Sequence, residues 1–221
     1  MVITRDQYTK DFYIGGGTSQ TFSVTVAATA SILVVLSHNQ NARSYTSVTA
    51  NGQAMTEVVD QAVGVVNDRV GAYVLPNPPT GTYNIIVTVS GTTNDMITWA
   101  YSLIGTETVN YLGGYGAAGV GSASSQTLGS PACTYPPQTW WIGLGASSNS
   151  FTYPYSGSAT ELDSYNTGYK TTLFDTSAVG QIPAWWNDGI SFTTDTDKGN
   201  TVLVAVGISA PIVGPFPTNL Y

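Results

Sequence analysis

Charge is scarce in this sequence: Asp, Glu, Lys and Arg together make up 9% of the chain. Six Lys and Arg stand against 13 Asp and Glu, giving a formal net charge of -7. No basic cluster occurs that could neutralise a row of phosphates, which argues against direct nucleic-acid binding. Cysteine is scarcer still. Cys133 stands alone, so no internal disulfide can form and the fold must hold by packing. With a single His38 beside that single cysteine, a zinc site lacks its ligands. Long apolar runs are missing too. The most apolar segment, ASILVVLSH, has about nine residues against the roughly 20 of a membrane-spanning helix, so it reads as a buried strand and no membrane partner is expected. The opening stretch MVITRDQYTKDFYIGGG carries Asp6, Lys10 and Asp11 where a signal peptide would have its apolar core. A product made in the cytoplasm is expected.

Ser, Thr, Gly, Asn and Tyr supply the polarity instead, which coats the surface with neutral hydrogen-bonding groups. At 221 residues the chain can bury roughly 70% of its unfolded surface in one core. Strand signals recur along it and helical periodicity is almost absent. In QTFSVTVAA, Phe22, Val24 and Val26 alternate with Thr21, Ser23 and Thr25. SILVVLSH follows, then SYTSVTANGQAMTEVVDQA with Asn51-Gly52 as a hairpin turn. GVVNDRVGAYVL has a second turn expected at Asn67-Asp68, and GTYNIIVTVSG and MITWAYSLIG complete six expected strands in about the first 105 residues. In YVLPNPPTGTYNIIVTVSG the prolines make a rigid corner, Gly81 permits the reversal, and Tyr83, Ile85, Val87 and Val89 share a face with Ile86 opposite.

Beyond residue 112 the segment GGYGAAGVGSASSQ (113–126) reads as a mobile crossing loop. SQTLGSPACTYPPQTWWIGLGASS then echoes the earlier SQTFSVTVAATASILVVLSHN, as if two halves fed one structure. A last hairpin is expected to turn at Lys198-Gly199-Asn200, and APIVGPFPTNLY, with three prolines in twelve residues, can be neither helix nor central strand. The reading is one all-β domain, an antiparallel, jelly-roll-like β-sandwich over residues 19–209. An N-terminal arm (1–18) and an extended C-terminal arm (210–221) flank it.

The order LVVLSH, SVTANGQAMTEV, YVLPNPPTGTYNIIVTVSG, WAYSLIG resembles a β-sandwich domain of phage virion proteins and secreted bacterial surface proteins, over about residues 19–209. The resemblance implies a jelly-roll module without catalytic activity. It points to a virion component, a capsid decoration, cement or fibre-like subunit. Its expected partners are capsid or other virion structural proteins and further copies of itself.

Chemistry is hard to assemble from the residues. His38 could serve as a catalytic base, yet no nucleophile elbow accompanies it, so a hydrogen-bonded histidine at a strand end is expected. Asp195, Asp197 and Asn200 lie on a Gly-containing turn that hard cations favour, and the same residues suit a plain hairpin. Glu57, Glu107, Glu161, Asp60, Asp163 and Asp188 form no recognisable catalytic pair. No enzyme and no cofactor are expected. The aromatics remain. Trp140-Trp141 should send one ring to the core and the other to the outer face or a second sheet. Tyr153, Tyr155, Tyr165, Trp185 and Trp186 cluster near turns, where flat rings with polar edges stack on sugars or anchor a protein partner. The alternative function is therefore a module that binds a surface glycan.

Overall fold

The computed structural model describes residues 3–63, 68–109, 111–120, 125–128, 132–133, 139–147, 151–152, 160–166, 170–175, 190–194 and 201–209. They form antiparallel β-structure, with no helix among the described residues. The strands are β1 (Thr4–Val26), β2 (Ala30–Gln40), β3 (Tyr45–Ala50), β4 (Gln53–Ala54), β5 (Thr56–Val63), β6 (Asp68–Pro76), β7 (Gly81–Ile104) and β8 (Leu112–Val120). They continue as β9 (Ser125–Leu128), β10 (Ala132–Cys133), β11 (Thr139–Ser147), β12 (Phe151–Thr152), β13 (Thr160–Asn166), β14 (Lys170–Asp175), β15 (Ile190–Thr194) and β16 (Thr201–Ser209).

The first seven make one sheet, ordered β4-β3-β7-β2-β6-β5 with β1 also on β7. The second half supplies a six-stranded sheet, β10-β8-β16-β11-β14-β13, and a small one, β12-β15-β9. The two halves of the sequence thus build separate sheets.

β7 organises the first sheet. β1 runs along one of its edges from Thr4↔Ile104 to Val26↔Gly81. The other edge is shared, with β3 on residues 85–89 and β2 on residues 96–104. This long ribbon folds back on itself. The Ala27 amide donates to Asp6 Oδ2 at 3.2 Å, and Gln20 Nε2 donates to Asp11 Oδ2 at 3.1 Å. At about 3.3 Å per residue a straight strand would hold those positions roughly 70 and 30 Å apart. The bend falls at residues 14–17, where the register slips and Gly16 takes φ +82°, a conformation that costs glycine nothing. The sheet is consequently barrel-like and nearly closed.

Folding back gives β2 a core on each face. Ile32, Val34 and Leu36 pack with Trp99, Tyr101, Trp140, Ile142, Leu144, Leu173, Val206 and Ile208, joining the two large sheets. Leu33 and Val35 pack with Phe22, Val24, Val26, Ile85, Val87 and Val89 of the folded ribbon. Each such aliphatic side chain contributes about 1.5–3 kcal/mol on full burial.

Several expectations hold. Asn51 (φ 50°) and Gly52 (φ 74°) turn the β3–β4 hairpin, the pair of positive φ values that a two-residue loop demands. Phe22, Val24 and Val26 are buried, as are Tyr83, Ile85, Val87 and Val89, while Ile86 is 37% exposed on the opposite face. Gly81 has φ +106° at the corner.

Others differ. The residues read as an N-terminal arm are, from Thr4 onward, the first half of β1, held by its ladder to β7. The last two expected strands of the first half are one, because β7 continues through Gly91 without a break. The segment read as a crossing loop begins with strand β8, paired with β16 from Leu112↔Ile208 to Val120↔Thr201. A ladder to a β-branched neighbour outweighs the low strand preference of Gly and Ala. Of the turn expected at Asn67-Asp68, Asp68 is already strand, paired with Val63, and Asn67 lies outside the described residues. The turn at 198–200 and the arm at 210–221 lie outside the described residues.

Candidate functional site

Two polar constellations join the sheets, and one of them reaches the surface. The inner one centres on His38, which alternation along β2 points toward the second sheet. Its Nε2 lies 3.1 Å from Asp68 Oδ1 at the start of β6, and its Nδ1 lies 3.2 Å from Thr171 Oγ1 on β14. Asp95 faces the same group. Burial raises the Asp95 carboxyl above its usual range, and proximity to His38 partly offsets that. A hydroxyl, an imidazole and a carboxylate in sequence are the parts of an activated nucleophile. Yet His38 and Thr171 are 0% exposed and Asp68 2%, so no substrate can reach them. What the arrangement does is link buried polar groups across three strands of two sheets, leaving Asp68 Oδ2 without a hydrogen bond among the described residues, a tie that fixes how the sheets register. His38 was read from the sequence as a strand-end residue with ordinary hydrogen bonds. It has such bonds and is sealed in the interior.

The outer constellation lies where β1 meets β13. Residues two apart share a strand face, and Tyr8, Lys10 and Phe12 stand opposite Tyr101, Trp99 and Ile97 of β7. Lys10 Nζ donates to Asp163 Oδ1 at 2.9 Å. Asp163 also accepts the Ser164 amide at 2.8 Å and the Trp99 indole N–H at 3.2 Å. The Tyr8 hydroxyl donates to the Leu162 carbonyl at 3.3 Å. Around this polar centre are rings. Tyr8 is stacked over Tyr101 at 6.5 Å, with the Arg5 guanidinium 5.7 Å from its centroid. Phe12 packs on Tyr165 at 5.0 Å and 33° and remains 51% exposed.

Of the five aromatic residues expected to contact a glycan or partner, Tyr165 is brought into this patch, half-buried on β13. Tyr153, Tyr155, Trp185 and Trp186 lie outside the described residues, as do Asp195, Asp197 and Asn200. Tyr8 and Phe12 were missed. Their period-2 placement around Lys10 is a strand signal, masked by Arg5, Asp6 and Asp11, which make the stretch read as a polar arm. Trp140 and Trp141 are both buried, at 6% and 0% exposure; neither faces solvent. Among the described residues no group of three His, Cys, Asp or Glu could hold a metal, and no helix is long and apolar enough to cross a membrane.

No family model matches the chain, and no curated protein does.

Proposed function

We propose that this chain is a non-enzymatic structural protein of a bacteriophage particle, a jelly-roll sandwich subunit serving as capsid decoration, cement or fibre-like component. The observation that carries the reading is the sealing of the His38, Asp68 and Thr171 group inside the protein. The described residue types with the greatest catalytic potential hold sheets together, and the surface offers neutral hydroxyls, strand edges and scattered rings. Such a surface makes contacts rather than bonds. The resemblance seen in the sequence points to the same class, with virion proteins and further copies of the chain as partners. Peptide mass spectrometry and immunogold labelling of particles purified from a lysate of the phage's host test it. Stoichiometric recovery in particles is expected, and a chain found only in the soluble fraction overturns the proposal.

The outward Phe12 favours a second reading, binding of a host-surface glycan. An apolar ring beside Tyr165 and next to the Lys10–Asp163 pair combines stacking with hydrogen bonding, as sugars require. Tyr153, Tyr155, Trp185 and Trp186 are the further candidates for the same role. Titration with host polysaccharide, followed by calorimetry, should show binding that Phe12→Ala and Tyr165→Ala abolish. Absence of heat with every host glycan sinks this reading.

A further inference from the structure

We infer that the outer edge of β1 between residues 17 and 26 pairs, antiparallel and about a two-fold axis, with the same edge of a second copy of this chain. One edge of β1 is bonded to β7, without interruption from Ser19 to Val26, and among the described residues no strand takes the other. An unpaired edge presents a row of free N–H and C=O groups, which native proteins guard with Lys, Pro or a very short strand. The N-terminal half of β1 is guarded in this way, by Arg5, Asp6, Lys10 and Asp11. Residues 15–26, GGGTSQTFSVTV, contain no charge and no proline.

The occupant follows from charge and register. The protein carries a net charge of -7, so most of its surface repels a copy of itself. A stretch with no charged residue lets two copies meet without that repulsion. Phe22, Val24 and Val26 are fixed inward in the core, which leaves Thr21, Ser23 and Thr25 exposed and prevents the one-residue slip that would blur the pairing. Two of those side chains, Ser23 and Thr25, already bond to β7. Ser23 Oγ donates to Asn84 Oδ1 at 3.1 Å, and Thr25 Oγ1 lies 2.8 Å from Thr82 Oγ1. A second β1 would extend the ladder by one strand, a self-complementary contact of the kind that closes a dimer.

The inference rests on the assembly reading only in expecting the chain to meet copies of itself, and sedimentation velocity of the purified full chain separates the two. A dimer at micromolar concentration is expected. Thr21→Lys combined with Ser23→Lys should weaken it at least 100-fold with far-UV circular dichroism unchanged, and Ser47→Lys, exposed on β3 across β7, should leave it intact. Hydrogen exchange on the wild type should show amides 18–26 slowing as concentration rises. A monomeric wild type, a dimer indifferent to the double lysine change, or one broken equally by Ser47→Lys overturns the edge pairing. A dimer that never enters particles overturns the proposed function alone.

Discussion

Replacing Gly71 by alanine should destabilise the protein, although the same change in an unobstructed strand would stabilise it. Gly71 lies on β6 between Ser37 of β2 and Asp60 of β5. A methyl group there would stand 2.9 Å from Cε2 of both Tyr45 and Tyr73 and 3.0 Å from Cδ2 of Tyr45. Carbon atoms prefer roughly 3.5–4.0 Å, so both rings must retreat by more than half an ångström. Neither is free to do so. The rings meet edge to face at 5.6 Å and 71°. The Tyr45 hydroxyl donates to the Ser37 carbonyl at 2.6 Å, with the Arg69 carbonyl at 3.3 Å, and the Tyr73 hydroxyl donates to Glu57 Oε2 at 3.2 Å. Overpacking of this kind costs about 1–3 kcal/mol. Loss of glycine's unfolded-state freedom returns about 0.4–1 kcal/mol. Taking the middle of each range, the net is about 1.3 kcal/mol, or a fall of about 3–5 °C in Tm for a chain of this size. Differential scanning calorimetry reads the shift directly. Tyr45→Phe removes the anchoring hydroxyl, so the Gly71→Ala penalty in that background should shrink by about 0.5 kcal/mol or more. An unchanged or raised Tm for Gly71→Ala refutes the steric reasoning, and an undiminished penalty beside Tyr45→Phe refutes the anchoring.

Alkaline titration probes the same region. Burial lifts the phenols of Tyr45 and Tyr73 far above the ordinary tyrosine value and that of Tyr83 from 10.0 to about 12. The folded state therefore holds these protons more tightly than the unfolded state. Their contribution to stability is complete below pH 10 and is lost as pH rises above it, through about 12 for Tyr83 and further into the alkaline range for Tyr45 and Tyr73. Urea midpoints should fall across that window, with three tyrosinates appearing at 295 nm only as the fold is lost. At the outer constellation, Asp163→Ala strips the Trp99 indole of its acceptor and should cost about 1–3 kcal/mol. Asp163→Asn, which retains an acceptor, should cost less, and equal losses by chemical denaturation would contradict this. In the inner tie, Thr171→Val removes one hydrogen bond between sheets at about 1 kcal/mol, whereas Asp68→Ala, which deprives buried His38 of its carboxylate, should cost more. The reverse order in urea melts would show that the carboxylate contributes little.

Local patterns were legible in the sequence where one strand face is buried and the other wet. Phe22, Val24 and Val26, and Tyr83 to Val89, announce their faces by alternation, and Asn51-Gly52 announces its turn. The ribbon's length was not legible. Gly91 looks like a strand end, yet β7 continues through it, even though no strand partner among the described residues falls between Val89 and Thr93. Nor could β8 be read from its own residues, since Gly and Ala become a strand through what β16 offers. The sites were least visible of all. His38, Asp68 and Thr171 are separated by 30 and 133 positions between bonded partners, and Lys10 meets Asp163 across 153. Such meetings are made by sheet register, which no short window contains.

The pairing of β1 with β7 also dictates an order of events as the chain is made. Thr4 must wait for Ile104, and even Val26 must wait for Gly81, so β1 is made well before the strand that pairs with it. Closing such large loops before any contact repays them makes folding slow. During that wait the uncharged GGGTSQTFSVTV stretch has both edges open. Nascent copies on one message therefore carry a segment able to find its counterpart on a neighbouring chain before its own β7 exists.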